Sequence, residues 1–355
     1  MNSLFVAGRF DDAGGKPSGY AEKLSSKLRD GTWCGNFYNG GTWDELVKIM
    51  NEQVPNVDVV YWFADVPNDK NKLVRDIKQK NQKCILITSK RNNGEYIFQE
   101  LIAKALQNKS NLVVEFNKNN DIVVASVFDP LGNMFLKDET NIGDVAASLG
   151  KRVKELLSFT RVGSVKTGES KPIPNQETFF KLVAAYADRF HELIHGVHTT
   201  RLLGNASFRC ERGFPSFRGN DGLVYISRRD IDKRFINRDG FVAVERYYGK
   251  NLVKYYGDFK PSVDTPIQNM LYWRYPDINY AIHSHVYIKD AHMTKSIIPC
   301  GAIEEYDEIV ELFVPTECSM IKVNLRGHGS LVMASRVEDL ENIEYIPRVF
   351  PEMQK

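Results

Sequence analysis

The amino-acid sequence predicts two α/β domains joined by a polar linker, and three observations carry that expectation. The chain has 355 residues, more than a single typical domain holds and about right for two. Residues 1–160 alternate short apolar runs with amphipathic stretches of helical period, the pattern of a parallel sheet covered by helices on both faces. Residues 161–176, with Gly163, Ser164, Lys166, Gly168, Ser170, Lys171, Pro172 and Pro174, offer little to bury and read as the linker.

In the first domain the apolar runs predict strands over 4–7, 57–63, 83–88, 112–116 and 122–128. Helical patterns lie between them over 20–28, 43–51, 70–79 and 96–107, and a last amphipathic helix is expected over 143–159. Together they describe a Rossmann-like α/β domain over residues 1–160. Its first strand is followed by a glycine-rich stretch, residues 8–19, with Lys16 and Ser18. Such a turn before a helix N-terminus can cradle phosphate with backbone N–H groups. It is neither Gly-x-Gly-x-x-Gly nor a Walker A sequence, and a loop rich in turn formers is the plainer reading.

Composition narrows the function. At 43% hydrophobic and 26% charged residues the chain has the make-up of an ordinary soluble protein. A net charge of +2 gives no case for nucleic acid or an anionic membrane. No apolar run approaches the roughly 20 residues of a membrane helix, and the N-terminus reads as a strand, with no signal peptide. Five cysteines, none spaced Cys-x-x-Cys, argue against a disulfide framework and for a reducing, cytoplasmic setting.

The second domain is expected over residues 177–355 and opens with a strong helical pattern over 179–194. That helix ends in His191, Glu192 and His195, spaced His-Glu-x-x-His. On one helical face the two histidines would hold zinc, with Glu192 as the general base of a hydrolase. The rival reading is a plain helix leading into the next motif, since Gly196 follows at once. A second histidine group lies in the apolar run 280–287. His283 and His285 stand two apart in a strand pattern and so project from one face. Two imidazoles together make half of a site for zinc or its neighbours in the first transition row. His328, flanked by Gly327 and Gly329 at the end of another apolar run, is the best third ligand. The alternative is a satisfied core or surface pair.

The surrounding motifs fall into an order. Gly204, Asn205 and Ser207 form a Gly-Asn-x-Ser turn after a helix. Then come Pro261-Ser262-Val263-Asp264-Thr265-Pro266, Tyr275-Pro276-Asp277, Ile282-His283-Ser284-His285, Ile298-Pro299-Cys300 and Arg326-Gly327-His328-Gly329. This succession resembles the class II aldolase/adducin family over residues 177–335, and its 4-epimerase-like branch most. The resemblance implies a domain with a largely antiparallel central sheet flanked by helices. It implies a divalent metal, usually zinc, held by His283, His285 and His328, with Asp264 where the family carries its catalytic carboxylate. A helix N-cap is the structural alternative for Asp264, because Asp-Thr-Pro also fits a helix start.

The implied activity is a metal-dependent lyase or epimerase acting on a small sugar, sugar phosphate or sugar acid by retro-aldol chemistry through an enediolate. A homo-oligomer, commonly a tetramer in the family, is implied too. Gly204, Asn205, Ser207 and Ser262 fall where the family contacts substrate. The loop Ser227-Arg228-Arg229-Asp230 lacks the family's glycine, and Arg228 and Arg229 are candidates to supply anion donors in its place. Solvated surface arginines are the alternative. Tyr345 is a candidate acid without a positional match. Adducin-like members offer the other class of function, a binding or scaffold module with a structural metal.

Overall fold

The computed structural model describes all residues except 1, 31–33, 68–71, 120–121, 195–203, 211–221, 246–251, 315–316 and 354–355. The chain forms two units, one of residues 1–158 with 350–355 and one of residues 159–349.

Unit 1 is built on strands β1 (Asn2–Asp11), β2 (Cys34–Thr42), β3 (Val59–Asp65), β4 (Ile85–Arg91), β5 (Leu112–Asn119), β6 (Ile122–Phe128) and β7 (Asn133–Glu139). The order β5-β4-β3-β1-β2 is parallel throughout. β6 and β7 extend it antiparallel. The alternation of β1 separates two cores. Phe5 and Ala7 pack with Ala21, Leu24 and Leu28 of α1 (Gly19–Asp30) and with Val145, Leu149 and Val153 of α5 (Ile142–Ser158). Leu4 and Val6 face the other way, onto Leu46, Ile49 and Met50 of α2 (Trp43–Glu52) and Val74 and Ile77 of α3 (Leu73–Lys80). The fourth helix, α4 (Phe98–Asn108), links β4 to β5. This is the doubly wound, Rossmann-like arrangement that the alternation implies.

Three strands of this sheet lie outside the strand runs expected from the sequence. β2 reads CGNFYNGGT, yet it pairs along β1 as an edge strand. Its Gly35 is required, since a Cβ there would sit 2.0 Å from the Ser3 carbonyl oxygen. β7 is largely polar. A final strand, Glu352–Met353, lies parallel to β7 and so belongs to unit 1, although the sequence assigns residues 177–355 to the second domain. In the glycine-rich stretch several backbone N–H groups are already bonded within the chain. Arg9 and Lys16 bridge their backbones, and the N–H groups of Ala13 and Gly15 both donate to the Asp11 carboxylate at 2.9 Å. Those backbone bonds, Gly15's first, hold the Asp11 carboxyl below its usual range.

In unit 2 the stretch read as a linker supplies a strand. β8 (Ser164–Gly168) pairs parallel with β12 at the sheet edge, where an exposed polar strand has nothing to bury on its outer side. The other strands are β9 (Asn205–Arg209), β10 (Leu223–Ser227), β11 (Phe241–Glu245), β12 (Val253–Tyr256), β13 (Tyr280–Ser284), β14 (Tyr287–Ile288), β15 (His292–Met293), β16 (Met320–Leu325), β17 (Gly329–Ala334) and β18 (Tyr345–Ile346). The main sheet runs β15-β16-β17-β13-β9-β10-β11-β12-β8, antiparallel except at its two ends. β14 and β18 pair apart from it.

One face of this sheet is covered by α6 (Glu177–Leu193), whose Phe179 and Phe180 pack on Phe208 and Phe241. Tyr345 is buried in the same aromatic layer, edge-on to Tyr186 and Phe190, and acts as a core residue. The other face takes α7 (Thr265–Arg274) and α8 (Glu304–Leu312), through Ile267, Leu271 and Ile309. α6 ends at Leu193 with Ile194 as its C-cap. Of the His-Glu-x-x-His pattern, His191 and Glu192 are in its last turn, and His195 lies outside the described residues. Among the described residues no helix is long and apolar enough to cross a membrane.

Candidate metal centre and active site

His283 is the fourth residue of β13, His285 follows its end, and His328 sits in the turn between β16 and β17. Since β17 pairs with β13, the turn brings His328 beside the pair. Glycines permit this approach. Gly327 has φ +68, and a Cβ on Gly329 would lie 1.9 Å from the Ser284 carbonyl oxygen. The ring centroids are 5.0 Å apart for His283 and His285, 4.7 Å for His283 and His328, and 5.2 Å for His285 and His328. One ligand atom from each lies within 4.8 Å of the others.

Hydrogen bonds fix the rings. His283 Nδ1 donates to the Ser330 carbonyl at 2.9 Å, which leaves Nε2 as the bare nitrogen. Among the described residues, that Nε2 and His285 Nδ1 are buried without a hydrogen-bond partner. Two buried orphan nitrogens facing a third imidazole are a donor set that one cation satisfies, so the residues fit a metal. His328 Nδ1 donates to Glu305 Oε1 at 2.8 Å, the carboxylate–histidine pairing that orients metal ligands. Its Nε2 lies 3.1 Å from Cys300 Sγ.

Electrostatics divide the three rings. Burial, then the neighbouring His328, pushes His283 down to about 4. Burial, then His283 and His328, holds His285 well below its usual value too, so both are neutral, as ligands must be. For His328 burial pulls down, but the Cys300 sulfur and the Glu305 carboxylate together outweigh it and hold the ring well above its usual value.

Asp264 occupies the N-cap position of α7 but makes no side-chain cap bond. Its carboxylate turns into the site. Oδ2 accepts from Asn205 Nδ2 at 2.8 Å and lies 3.9 Å from His283 Nε2, while Oδ1 is buried and unbonded. The placement follows from a helix laid along a strand. Asp264, Gln268 and Tyr272 recur every fourth residue of α7, and Asn205, Ser207 and Arg209 alternate along β9. They meet in register. Gln268 Nε2 donates to Asn205 Oδ1, the Ser207 and Tyr272 hydroxyls are 2.9 Å apart, and Arg209 donates to the Tyr272 carbonyl. Gly204, φ +72, must be glycine because a Cβ would fall 1.9 Å from the His283 carbonyl oxygen.

The structure therefore brings Asp264, Gly204 and Asn205 to the three histidines, with Ser262 Oγ 3.5 Å from the Asp264 carboxylate. It does not bring Ser207, which is spent in helix–strand packing. Arg228 stacks on Phe259 at 3.7 Å from the ring centroid, and Arg229 Nε donates to the Pro261 carbonyl. Asp230, φ +60, adopts the left-handed backbone that a glycine would supply. Three residues went unnoticed in the sequence. Glu305 orients His328. Arg348, 2% exposed, donates to the His328 carbonyl at 3.2 Å. Lys233, 5% exposed, is pushed down to about 8 by burial, against the pull of Asp230, Asp232 and Asp264. An acid at a helix start was the one available signal for Glu305; nothing local distinguishes Lys233 or Arg348.

Residues 184–309 match the family model described as Class II Aldolase and Adducin N-terminal domain. No curated protein matches the chain. Among solved structures, a DNA/pantothenate metabolism flavoprotein from Streptococcus pneumoniae aligns at 9% identity and TM-score 0.35, covering 44% of this chain and 99% of that one. An L-fuculose 1-phosphate aldolase aligns at 18% identity and TM-score 0.33, covering 48% and 84%. The L-fuculose-1-phosphate aldolase from Thermus thermophilus aligns at 16% identity and TM-score 0.29, covering 44% and 82%.

Proposed function

We propose that the chain is a metal-dependent lyase or epimerase, a reading supported by the match of residues 184–309 to the Class II Aldolase and Adducin N-terminal domain model. It acts on a small sugar, sugar phosphate or sugar acid by retro-aldol chemistry. The observation that carries this reading is the buried trio His283, His285 and His328 with the open carboxylate of Asp264 beside it. The histidines hold a divalent ion, zinc by the chemistry of three imidazoles. When bound, such an ion supplies Lewis-acid stabilisation of the negative charge that a carbonyl oxygen gains as the C–C bond breaks.

The chain's own residues do the rest. Asp264 exchanges a proton with the substrate hydroxyl or carbon at Oδ1, the oxygen left without a hydrogen-bond partner among the described residues. Asn205 holds the other oxygen and so aims the first. Glu305 and the Ser330 carbonyl keep two imidazoles in the orientation a ligand needs. A homo-oligomer belongs to the same proposal and is tested by light scattering.

Elemental analysis of the wild type and of His283→Ala, His328→Ala and His191→Ala is the first test. The first two variants lose the metal and the third keeps it. Asp264→Asn then keeps the metal and loses about 10²–10⁴-fold in turnover of whichever sugar or sugar phosphate the wild type cleaves. A wild type that takes up no metal sinks the lyase reading. Metal without turnover across aldoses, ketoses and their phosphates favours the scaffold, and metal lost on changing His191 alone favours the hydrolase.

A further inference from the structure

His283 is carried by β13, but His328 stands in a turn between two glycines. Glycine gives a turn its shape and takes away its stiffness, whereas a site residue must be held to within about 0.5 Å of its place. The stiffness comes from outside the turn. His328 N–H closes the turn on itself, donating to the Leu325 carbonyl at 2.9 Å. Gly327 N–H donates to the Tyr287 hydroxyl at 3.0 Å, and the His328 carbonyl accepts from Arg348 Nη1 at 3.2 Å. The peptide groups entering and leaving the pair Gly327-His328 are thus both bonded to side chains from elsewhere in unit 2.

Those two side chains belong to one small piece of structure. β14 and β18 pair with Tyr287 opposite Ile346, and Arg348 follows two residues after β18. Its guanidinium lies 5.4 Å from the centroid of the Tyr287 ring, within reach of a cation–π contact. A ribbon of two short strands has little stability of its own. This one is tied to the strand that enters the turn: Asn324 of β16 accepts from Ile288 N–H at 2.7 Å and donates to the Ile288 carbonyl at 2.8 Å. Arg348 is 2% exposed. Sinking a group that stays charged is costly, and an apolar side chain of similar size would fill the space at less cost. The bond to the His328 carbonyl is a use for that charge.

We propose that Arg348 and Tyr287 clamp the His328 turn, and that Arg348 is a positioning residue for the metal centre, holding His328 where a divalent cation can take its Nε2. This rests on the reading of the three histidines as a metal site. The site thereby depends on a side chain 20 residues beyond His328, one that touches neither the ion nor a reacting atom.

The test uses the full chain. Competition with a chromophoric chelator gives the zinc affinity, the visible spectrum of the cobalt(II)-loaded chain reports the geometry around the ion, and hydrogen exchange reports the turn. In Arg348→Met the zinc affinity falls about 10–100-fold and the cobalt spectrum shifts. Amide exchange over residues 326–329 rises at least about tenfold, the scale of one charge-assisted hydrogen bond, while that of β13 stays as it was. Arg348→Lys keeps a charged donor without the planar fork and recovers part of the affinity. Tyr287→Phe weakens zinc binding from the other side of the turn. Arg348→Gln repeats the measurements should the Met variant fail to fold. A residue that only stabilised unit 2 would lower the melting temperature and leave the affinity and spectrum of the folded chain alone; that result overturns the proposal, as does unchanged exchange over 326–329. Failure of the metal reading shows separately, as a wild type that binds no zinc. Exchange over 326–329 in that metal-free chain then still decides the clamp, equal rates in wild type and Arg348→Met overturning it.

Discussion

Replacing Lys233 by methionine removes a charge that the fold carries at a cost. Burial moves this lysine from 10.5 in the open to about 8 in the folded chain. At about 1.4 kcal/mol per pKa unit, keeping the ammonium inside costs the folded state about 3 kcal/mol at pH 7. The sign follows from proton counts. Between about pH 8 and 10.5 the unfolded chain holds this proton and the folded chain has released it, so stability attributable to Lys233 rises with pH across that window. Below pH 8 both states are protonated and the whole cost stands; above 10.5 both are neutral and it is gone. Lys233→Met is a neutral replacement of similar shape. It should be more stable than wild type at pH 7 by up to about 3 kcal/mol, an upward shift in melting of about 6–12 °C for a unit of this size. Differential scanning calorimetry of the two full chains without ligand, at pH 7 and again at pH 10, reads both the gap and its closure. A Met variant that melts below wild type at pH 7, or a gap equal at the two pH values, refutes the reasoning.

Three further outcomes are expected. Glu305→Gln leaves His328 a weaker hydrogen-bond partner and should cost about 10–100-fold in metal affinity, measured by competition with a chromophoric chelator. Gly204→Ala forces a Cβ against the His283 carbonyl at a positive φ; it should destabilise unit 2 by at least about 2 kcal/mol in urea and lower metal occupancy, and an unchanged midpoint would contradict the close approach. Because Cys300 and Glu305 hold the proton on His328 against the effect of burial, metal must displace that proton. Affinity should therefore rise with pH, with proton release on binding detectable as a buffer-dependent enthalpy, and a flat profile would count against it.

How much of this was legible before folding depends on where the information sits. Strands whose side chains face a core announced themselves, as 57–63 and 122–128 did. β2 did not, because an edge strand of glycines and asparagines is held by backbone pairing with β1. β8 was hidden inside a polar stretch for the same reason. The histidine site was legible because it is compact in sequence terms: a two-residue spacing on one strand and a histidine between glycines. Asp264 and Asn205 were legible through motif order. The glycine missing from Ser227-Arg228-Arg229-Asp230 proved a poor guide to backbone shape, since Asp230 takes the left-handed conformation itself. Ser207 shares the face of β9 with Asn205 but stands one step further along it, where its hydroxyl meets that of Tyr272. Glu305 was illegible because its partner, His328, is far along the chain. The separation between Glu305 and His328 is 23 residues, and no local pattern encodes it.

The strand Glu352–Met353, laid on β7 after the whole of unit 2 has been threaded, makes one unit a guest inside the other. A ribosome delivers β1 to β7 first and the last strand of that same sheet only after all of unit 2. Until then the Asn133–Met134 end of β7 presents open backbone donors and acceptors on its outer rim, available to any passing strand. Synthesis of the guest thus sets the interval for which the host waits incomplete. Cutting the chain at the unit boundary would make that interval permanent: residues 1–158 alone retain both cores and lose the piece that pairs with Asn133 and Met134 at one end of their rim.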